Sequence, residues 1–435
     1  MIDKLARFCS SQVAGRCFIL KGYAGTGKTS IVSALVQTLQ KLNQPPVLLA
    51  PTGRAAKVLS AYSGLPATTI HKCIYRESQH AGMDSLFTLG YNKLANTLFV
   101  VDEASMIGTD SDQSAFGSGN LLEDLIRFVY QGLNCSLLLV GDDAQLPPVG
   151  QTFSAALNDD WLQGFGLSVS SYTLTQVVRQ AMESGVLQEA TAIRQRLLNH
   201  DASSPMKTIL THADVIRLKP EEVQSTIERS YREVGMDETL IITRSNKRTN
   251  LYNQGIRARI LWKEENLSGG DRIMVSRNNY FWLEEGFIAN GESFEIVRVS
   301  NEREMYGFHF VDAQLRTMNA EMEINATLWL DTLFTETPEM AYQLQRELYY
   351  KIAEDYPEIK SRKKLRDKIM ASPYFNALQI RYAYAVTCHK AQGGQWRHVY
   401  MDSGSLADKE YAEIDDWRWI YTALTRSSDT IFILQ

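Results

Sequence analysis

The chain has 435 residues and a formal net charge of −5, too long for one small core, so two or more domains are expected. With 44% hydrophobic and 22% charged residues it reads as globular rather than disordered. The acidic sum does not advertise a nucleic-acid binder, although binding follows local patches rather than the total. Five scattered cysteines, Cys9, Cys17, Cys73, Cys135 and Cys388, show no C-x-x-C pair and read as reduced thiols. No leader pattern and no apolar run of the ~18–20 residues of a bilayer span stand in the sequence. A cytoplasmic protein without a membrane partner is expected.

In chain order, "CFIL" (17–20), "VLLA" (47–50), "TLFVVD" (97–102), "SLLLVGD" (136–142), "TLIIT" (239–243), "AYAVT" (383–387) and "TIFIL" (430–434) read as strands buried on both faces. Segments 30–41 and 186–198 between them carry helical periodicity. That alternation predicts an α/β protein with parallel sheets. From about Ser268 to Val299, short alternating runs with Gly-Gly and Asn-Gly turns predict a small β-barrel. Residues 332–370 then read as charged helix, before the α/β pattern resumes near Ile380.

Three strand ends carry chemistry. Gly22-x-x-x-x-Gly27-Lys28-Thr29 follows a strand and precedes a helix, as a phosphate loop requires. Backbone N–H groups of Gly22, Gly25, Thr26, Gly27, Lys28, Thr29 and Ser30 form the nucleotide-binding loop, Lys28 reaches the outer phosphates, and the Thr29 hydroxyl binds Mg²⁺. In "VVDEAS" (100–105), Asp102 is placed to hold Mg²⁺ through water and Glu103 to polarise the attacking water. In "LVGDDAQLPPVG" (139–150), Gln145 is placed to sense the γ-phosphate or orient water, while Asp143 reads as solvated. ATP and Mg²⁺ are therefore the expected cofactors. Arg179, in "LTQVVRQ", and Arg426, in "YTALTRSS", are candidates for stabilising charge on the transferring phosphoryl group; the alternative is a surface arginine.

The ordered set "GYAGTGKT", "APTGRAAKVL", "TIHK", "VVDEAS", "VGDDAQLPPV", "LTQVVRQ", "TCHKAQGGQW" and "IYTALTRSS" resembles the superfamily 1 helicases, in their RecD-like branch with its phage and bacterial members. The resemblance spans residues 18–435, with the middle insert matched only loosely. It implies two RecA-like P-loop NTPase domains with ATP between them. A β-hairpin insert would lie in the first domain, and an SH3-like β-barrel plus a helical insert in the second. The implied limits are 1–180 (hairpin 73–96) for the first domain, 181–265 with 380–435 for the second, and 266–379 for the barrel and helical module. The implied activity is ATP-dependent 5′→3′ DNA unwinding by translocation on single strands. Lys28, Glu103, Gln145, Arg179 and Arg426 match the catalytic motifs, and Gly393 a position close to the nucleotide. Thr52, His71, Thr387, His389 and Lys390 match DNA-backbone contacts.

Hydroxyl, imidazole and ammonium groups at strand ends are suitable donors to phosphate oxygens. Thr52 has an alternative as a helix cap, and His71 as a packing residue. Phe87, in the segment where relatives carry a duplex-splitting hairpin, is a candidate strand-separation wedge, with core packing as its alternative. The basic run Lys360–Lys368 reads as a solvated helix face before it reads as a DNA contact. Implied partners are single-stranded DNA, single-strand/duplex junctions, and single-strand-binding or replication and repair proteins. A monomer suffices, because one chain holds both halves of the cleft. Two departures stand out. The family's adenine-reading glutamine lies some twenty positions before the loop, and no glutamine stands at that spacing, Gln12 being too close. Gln395 follows "QGG", where many superfamily members carry an acidic residue. Alternatives to the DNA helicase are an RNA helicase and a DNA-stimulated ATPase that remodels protein–DNA complexes without unwinding.

Overall fold

The computed structural model describes residues 1–77, 87–109, 117–177, 184–199, 212–283, 287–318, 322–404, 406, 409 and 412–434. They form two compact units, one of Met1–Arg217 with Ala391–Ile433 and one of Leu218–Lys390. The first unit runs through α1 (Ile2–Ser10), β1 (Arg16–Gly22), α2 (Lys28–Lys41), β2 (Val47–Ala50), α3 (Gly53–Ser63), β3 (Ala67–Thr69), α4 (Ile70–Ile74), β4 (Tyr75–Glu77), β5 (Phe87–Leu89), β6 (Leu98–Val101), α5 (Leu121–Gln131), β7 (Ser136–Gly141), α6 (Asp159–Gly164), β8 (Ser168–Leu174), α7 (Gly185–Leu198) and β9 (Val215–Leu218). The second comprises α8 (Pro220–Glu233), β10 (Thr239–Thr243), α9 (Asn246–Arg259), β11 (Arg272–Val275), β12 (Ser293–Met305), β13 (Phe308–Thr317), β14 (Glu323–Trp329), α10 (Pro338–Ala353), α11 (Arg362–Met370), β15 (Leu378–Tyr382), β16 (Ala385–Thr387) and α12 (Cys388–Ala391). The chain then re-enters the first unit with β17 (Trp396–Asp402), α13 (Ile414–Leu424) and β18 (Ser427–Leu434).

The first unit is built on a parallel six-stranded sheet of order β3-β2-β6-β7-β1-β8. Its central strands are apolar because both faces are covered. Phe18 and Leu20 of β1, Val100 of β6 and Leu138 and Val140 of β7 pack against Val32 and Val36 of α2, Leu59 of α3 and Phe8 of α1. Parallel strands bring all their C-terminal ends to one edge, and in an open α/β sheet that edge is where ligands bind. The motif loops after β1, β2, β6 and β7 therefore gather there. In the same unit β17, β18 and β9 lie side by side in that order.

In the second unit β10 and β16 pair in parallel, Thr243 opposite Thr387. Strands β11 to β15 close into a barrel, antiparallel except for the β14–β15 pair. Phe308, Phe310 and Trp329 of the barrel share a core with Leu348 and Ile352 of α10 and Ile369 of α11. The helical segment is thus packed onto the barrel, and the barrel's last strand lies beyond it in sequence. No helix among the described residues is long and apolar enough to cross a membrane.

Candidate nucleotide site and nucleic-acid contacts

The phosphate loop leaves β1 and enters α2 through Gly27, whose φ of +86° at the N-cap suits a residue without a side chain. No side chain caps α2, so its first N–H groups remain available to an anion, which the helix dipole also favours. Thr26 Oγ1 donates to Tyr23 O at 2.7 Å and closes the loop on itself. The Lys28 ammonium donates to Gly22 O at 2.5 Å and Tyr23 O at 3.0 Å. Both are neutral carbonyls, which a phosphate would displace at little electrostatic cost. Thr29 and Ser30 are exposed.

At the end of β6, Asp102 accepts from Tyr62 Oη–H at 2.6 Å and from the Glu103 N–H at 2.9 Å. Tyr62 was not legible as a site residue; it fixes the carboxylate that faces the loop. Glu103 sits in the left-handed region, φ 52° and ψ 37°, a strained conformation for a residue with a side chain, of the kind that clusters at functional sites. Its carboxyl is pushed above the usual range by burial. The Arg426 cation pulls it down, Asp102 pushes it up and Lys28 pulls it down. Arg426, Asp102 and Lys28 are therefore close enough to act on Glu103.

Beyond β7, Asp142 is fully buried and accepts from the Ala144 N–H at 3.0 Å and from Tyr421 Oη–H at 2.7 Å. Burial raises its pKa and Lys28 opposes the rise. The same Tyr421 oxygen accepts the Ala24 N–H of the phosphate loop at 2.9 Å. One hydroxyl of α13 thus joins two of the strand-end motifs. Gln145 is buried, 6% exposed, and its Oε1 has no hydrogen-bond partner, like Ser105 Oγ nearby. Both line a polar cavity of about 230 Å³, together with Lys21, Asp142, Ser154 and Arg418. Asp143 is exposed, in line with its reading as solvated.

Arg426 is 3% exposed and held within its own segment. Nε donates to Thr422 O at 3.1 Å, one Nη to Gly394 O at 3.1 Å and the other to Thr425 Oγ1 at 3.2 Å. Of its five N–H donors, two remain for a further acceptor. Arg179 lies outside the described residues. Arg194 of α7, which sequence reading passed over, stacks over the Tyr23 ring at 4.4 Å. Gly393, φ +74°, is packed so closely that a Cβ would stand 2.9 Å from Ala55 Cβ and 3.3 Å from Thr52 Oγ1. The described contact of Gly393 is therefore with the start of α3.

Thr52 caps α3, accepting the Ala55 N–H at 3.2 Å, so its alternative role is realised; a cap oxygen retains a proton for a second partner. His71, on α4, has its pKa lowered to about 4 by burial and is neutral near pH 7, able to hydrogen-bond but not to ion-pair. In the second unit Thr387 ends β16 and His389 and Lys390 lie on α12. Burial, and then the Lys390 charge, lower the His389 pKa, and Lys390 Nζ donates to Asn290 Oδ1 at 2.6 Å. Phe87 is 6% exposed on β5, paired opposite Glu77. It is a packed residue in this arrangement, and its burial favours the core alternative over an exposed wedge. The centre of that hairpin, 78–86, lies outside the described residues. On α11 Arg362, Lys363, Lys364 and Lys368 are exposed, as a solvated face requires.

Mg²⁺ fits these residues as a hard cation held mainly by water and phosphate oxygens. Thr29 offers an exposed hydroxyl and Asp102 a fixed carboxylate. No cluster of three or more acidic, His or Cys ligands competes for it among the described residues.

Two family models match the sequence: the AAA domain over residues 5–208 and the UvrD-like helicase C-terminal domain over residues 382–434. The ATP-dependent RecD2 DNA helicase of Deinococcus radiodurans is 25% identical over 97% of this chain and 47% of its own length. The uncharacterized protein R530 of Acanthamoeba polyphaga mimivirus is 22% identical over 99% and 97%. The chain thus spans about half of the first relative and nearly all of the second. Among solved structures, the Bacteroides Pif1 helicase in complex with ADP-AlF3 and single-stranded DNA gives a loose likeness, with TM-score 0.48 and 13% identity over 99% of this chain and 91% of that one. The phosphate loop and the strand-end acidic pair lie within the segment that matches the AAA domain, and Tyr421 and Arg426, which meet them, lie within the segment that matches the UvrD-like helicase C-terminal domain. The chain is thus similar to helicases of superfamily 1, on their RecD-like side.

Proposed function

We propose that the chain is an ATP-driven motor that moves 5′→3′ on single-stranded DNA and separates duplex at single-strand/duplex junctions. The supporting observation is the convergence of Lys28, Asp102, Glu103, Asp142 and Arg426 at one strand edge, with the last supplied from the C-terminal segment. In this reading Lys28 and the α2 N-terminus bind the phosphates, Glu103 accepts the proton of the attacking water, and Gln145 orients that water. Arg426 and Arg179 neutralise charge on the transferring group. Thr29, and Asp102 through water, would hold Mg²⁺, which when bound would supply charge neutralisation at the phosphate oxygens. The unit of Met1–Arg217 with Ala391–Ile433 and the unit of Leu218–Lys390 act as the two halves of the motor, and the barrel β11–β15 holds the strand. Thr52 and His71 on one half, and Thr387, His389 and Lys390 on the other, grip the phosphodiester backbone alternately as ATP binds and leaves.

These contacts position a strand without reading its sequence, and they separate DNA from RNA only if a group reads the 2′-OH. The test is ATPase rate with no nucleic acid, with poly(dT) and with poly(U). Stimulation of about tenfold or more by poly(dT) over poly(U), roughly 1.4 kcal/mol of selectivity, is expected. Preference for poly(U) would make the chain an RNA helicase, and no stimulation by either would reject the motor.

A further inference from the structure

We infer that Thr422 and Gln392 are positioning residues for Gln145, which they hold by gripping both sides of the Leu146 peptide; the inference rests on the ATPase reading above. The Leu146 N–H donates to Thr422 Oγ1 at 2.8 Å, and Gln392 Nε2 donates to Leu146 O at 2.8 Å. Thr422 is 0% and Gln392 5% exposed, so neither bond is diluted by water. The Thr422 hydroxyl spends its own proton on Arg418 O at 2.8 Å. Its lone pair is thereby aimed at Leu146, and the polarity of the bond is fixed.

The grip falls where the loop is otherwise weakly held. Ahead of it, the Gln145 N–H reaches Asp142 O only at 3.3 Å. Behind it stand Pro147 and Pro148, which carry no N–H and have fixed φ. The Gln145 Oε1 is buried without a partner, so no bond to that oxygen holds the side chain, and the adjoining peptide sets where its amide points. Arg426 is tied to the same residue, through its Nε bond to Thr422 O at 3.1 Å. A shift of α13 therefore carries Gln145 and Arg426 together.

Neither Thr422 nor Gln392 is placed to touch reacting atoms; their effect is on where Gln145 stands. Misplacing a catalytic group by an ångström costs on the order of 100-fold in rate. Thr422→Val is accordingly expected to lower the single-strand-stimulated kcat about 10- to 100-fold while the KM for ATP stays within about threefold. Thr422→Ser, which keeps the oxygen, should restore kcat to within about threefold of the parent. In a Gln145→Ala background Thr422→Val should add no further loss, because two residues acting through one group are not additive. Wild-type kcat in a folded Thr422→Val variant would overturn the inference. So would a full Thr422→Val penalty persisting on top of Gln145→Ala, or a failure of Thr422→Ser to rescue. If Thr422→Val does not fold, Gln392→Leu is measured in the same way: a loss of kcat that vanishes in the Gln145→Ala background supports the inference, and wild-type kcat overturns it. A parent protein without ATPase activity would instead reject the underlying function.

Discussion

Arg426→Ala is expected to lower ATP turnover by about 10³-fold or more, the scale of a removed arginine finger, with single-stranded DNA still bound. The loss comes from two sources. The guanidinium has two N–H groups beyond those tied to Thr422, Gly394 and Thr425, and those two would meet charge developing on the transferring phosphoryl group. It also acts on Glu103, whose carboxyl it pulls down against the rise caused by burial. Glu103 must be ionised to accept a proton, so the rate falls as pH drops through its pKa. Removing Arg426 leaves burial less opposed, the Glu103 pKa rises further, and the acid limb of the pH–kcat profile moves to higher pH. Arg426→Lys should keep part of that shift from occurring while losing the planar donors. A measured Arg426→Ala profile with full turnover and an unmoved acid limb would remove Arg426 from the site.

Lys28→Ala is expected to lower kcat/KM for ATP by about 10²–10³-fold, the scale of one lost electrostatic donor at a transition-state oxygen. Lys28 is the cation that both Glu103 and Asp142 sense, and its ammonium rests on two loop carbonyls that hold it in place. Its removal takes from Glu103 and Asp142 a cation that both feel, and a polyanionic nucleotide would then bind poorly as well as react slowly. Steady-state hydrolysis with and without single-stranded DNA reads both effects. Retained turnover in Lys28→Ala would reject the nucleotide site.

The central strands were legible because burial on both faces leaves short, nearly unbroken apolar runs, and "VLLA" and "TLIIT" coincide with β2 and β10. β8 was not legible. It is an edge strand of the six-stranded sheet, and "SVSSYTL" carries serines because one side faces water. β17, "WRHVYMD", is buried along nearly its whole length but escaped because Arg397, His398 and Asp402 interrupt its apolar run. In the site, the phosphate loop and the Asp102–Glu103 pair stand on local spacing, which sequence records directly. Tyr421 and Asp142 are joined across 279 positions, and Tyr62 and Asp102 across 40; no spacing rule reaches that far. Phe87 is a different case: an apolar residue in a hairpin segment suits a wedge or a core, and its burial, 6% exposed, favours the core alternative that the sequence left open.

The most direct measurement is unwinding of matched duplexes that carry a 5′ or a 3′ single-stranded overhang, with ATP and Mg²⁺ present. A motor that moves 5′→3′ loads on the 5′ overhang and drives into the duplex from it, so unwinding of the 5′-tailed substrate alone, abolished by Lys28→Ala, is the predicted result. Equal unwinding of the two substrates, or preference for the 3′ overhang, would contradict the proposed direction. ATP hydrolysis stimulated by DNA with neither duplex unwound would contradict strand separation.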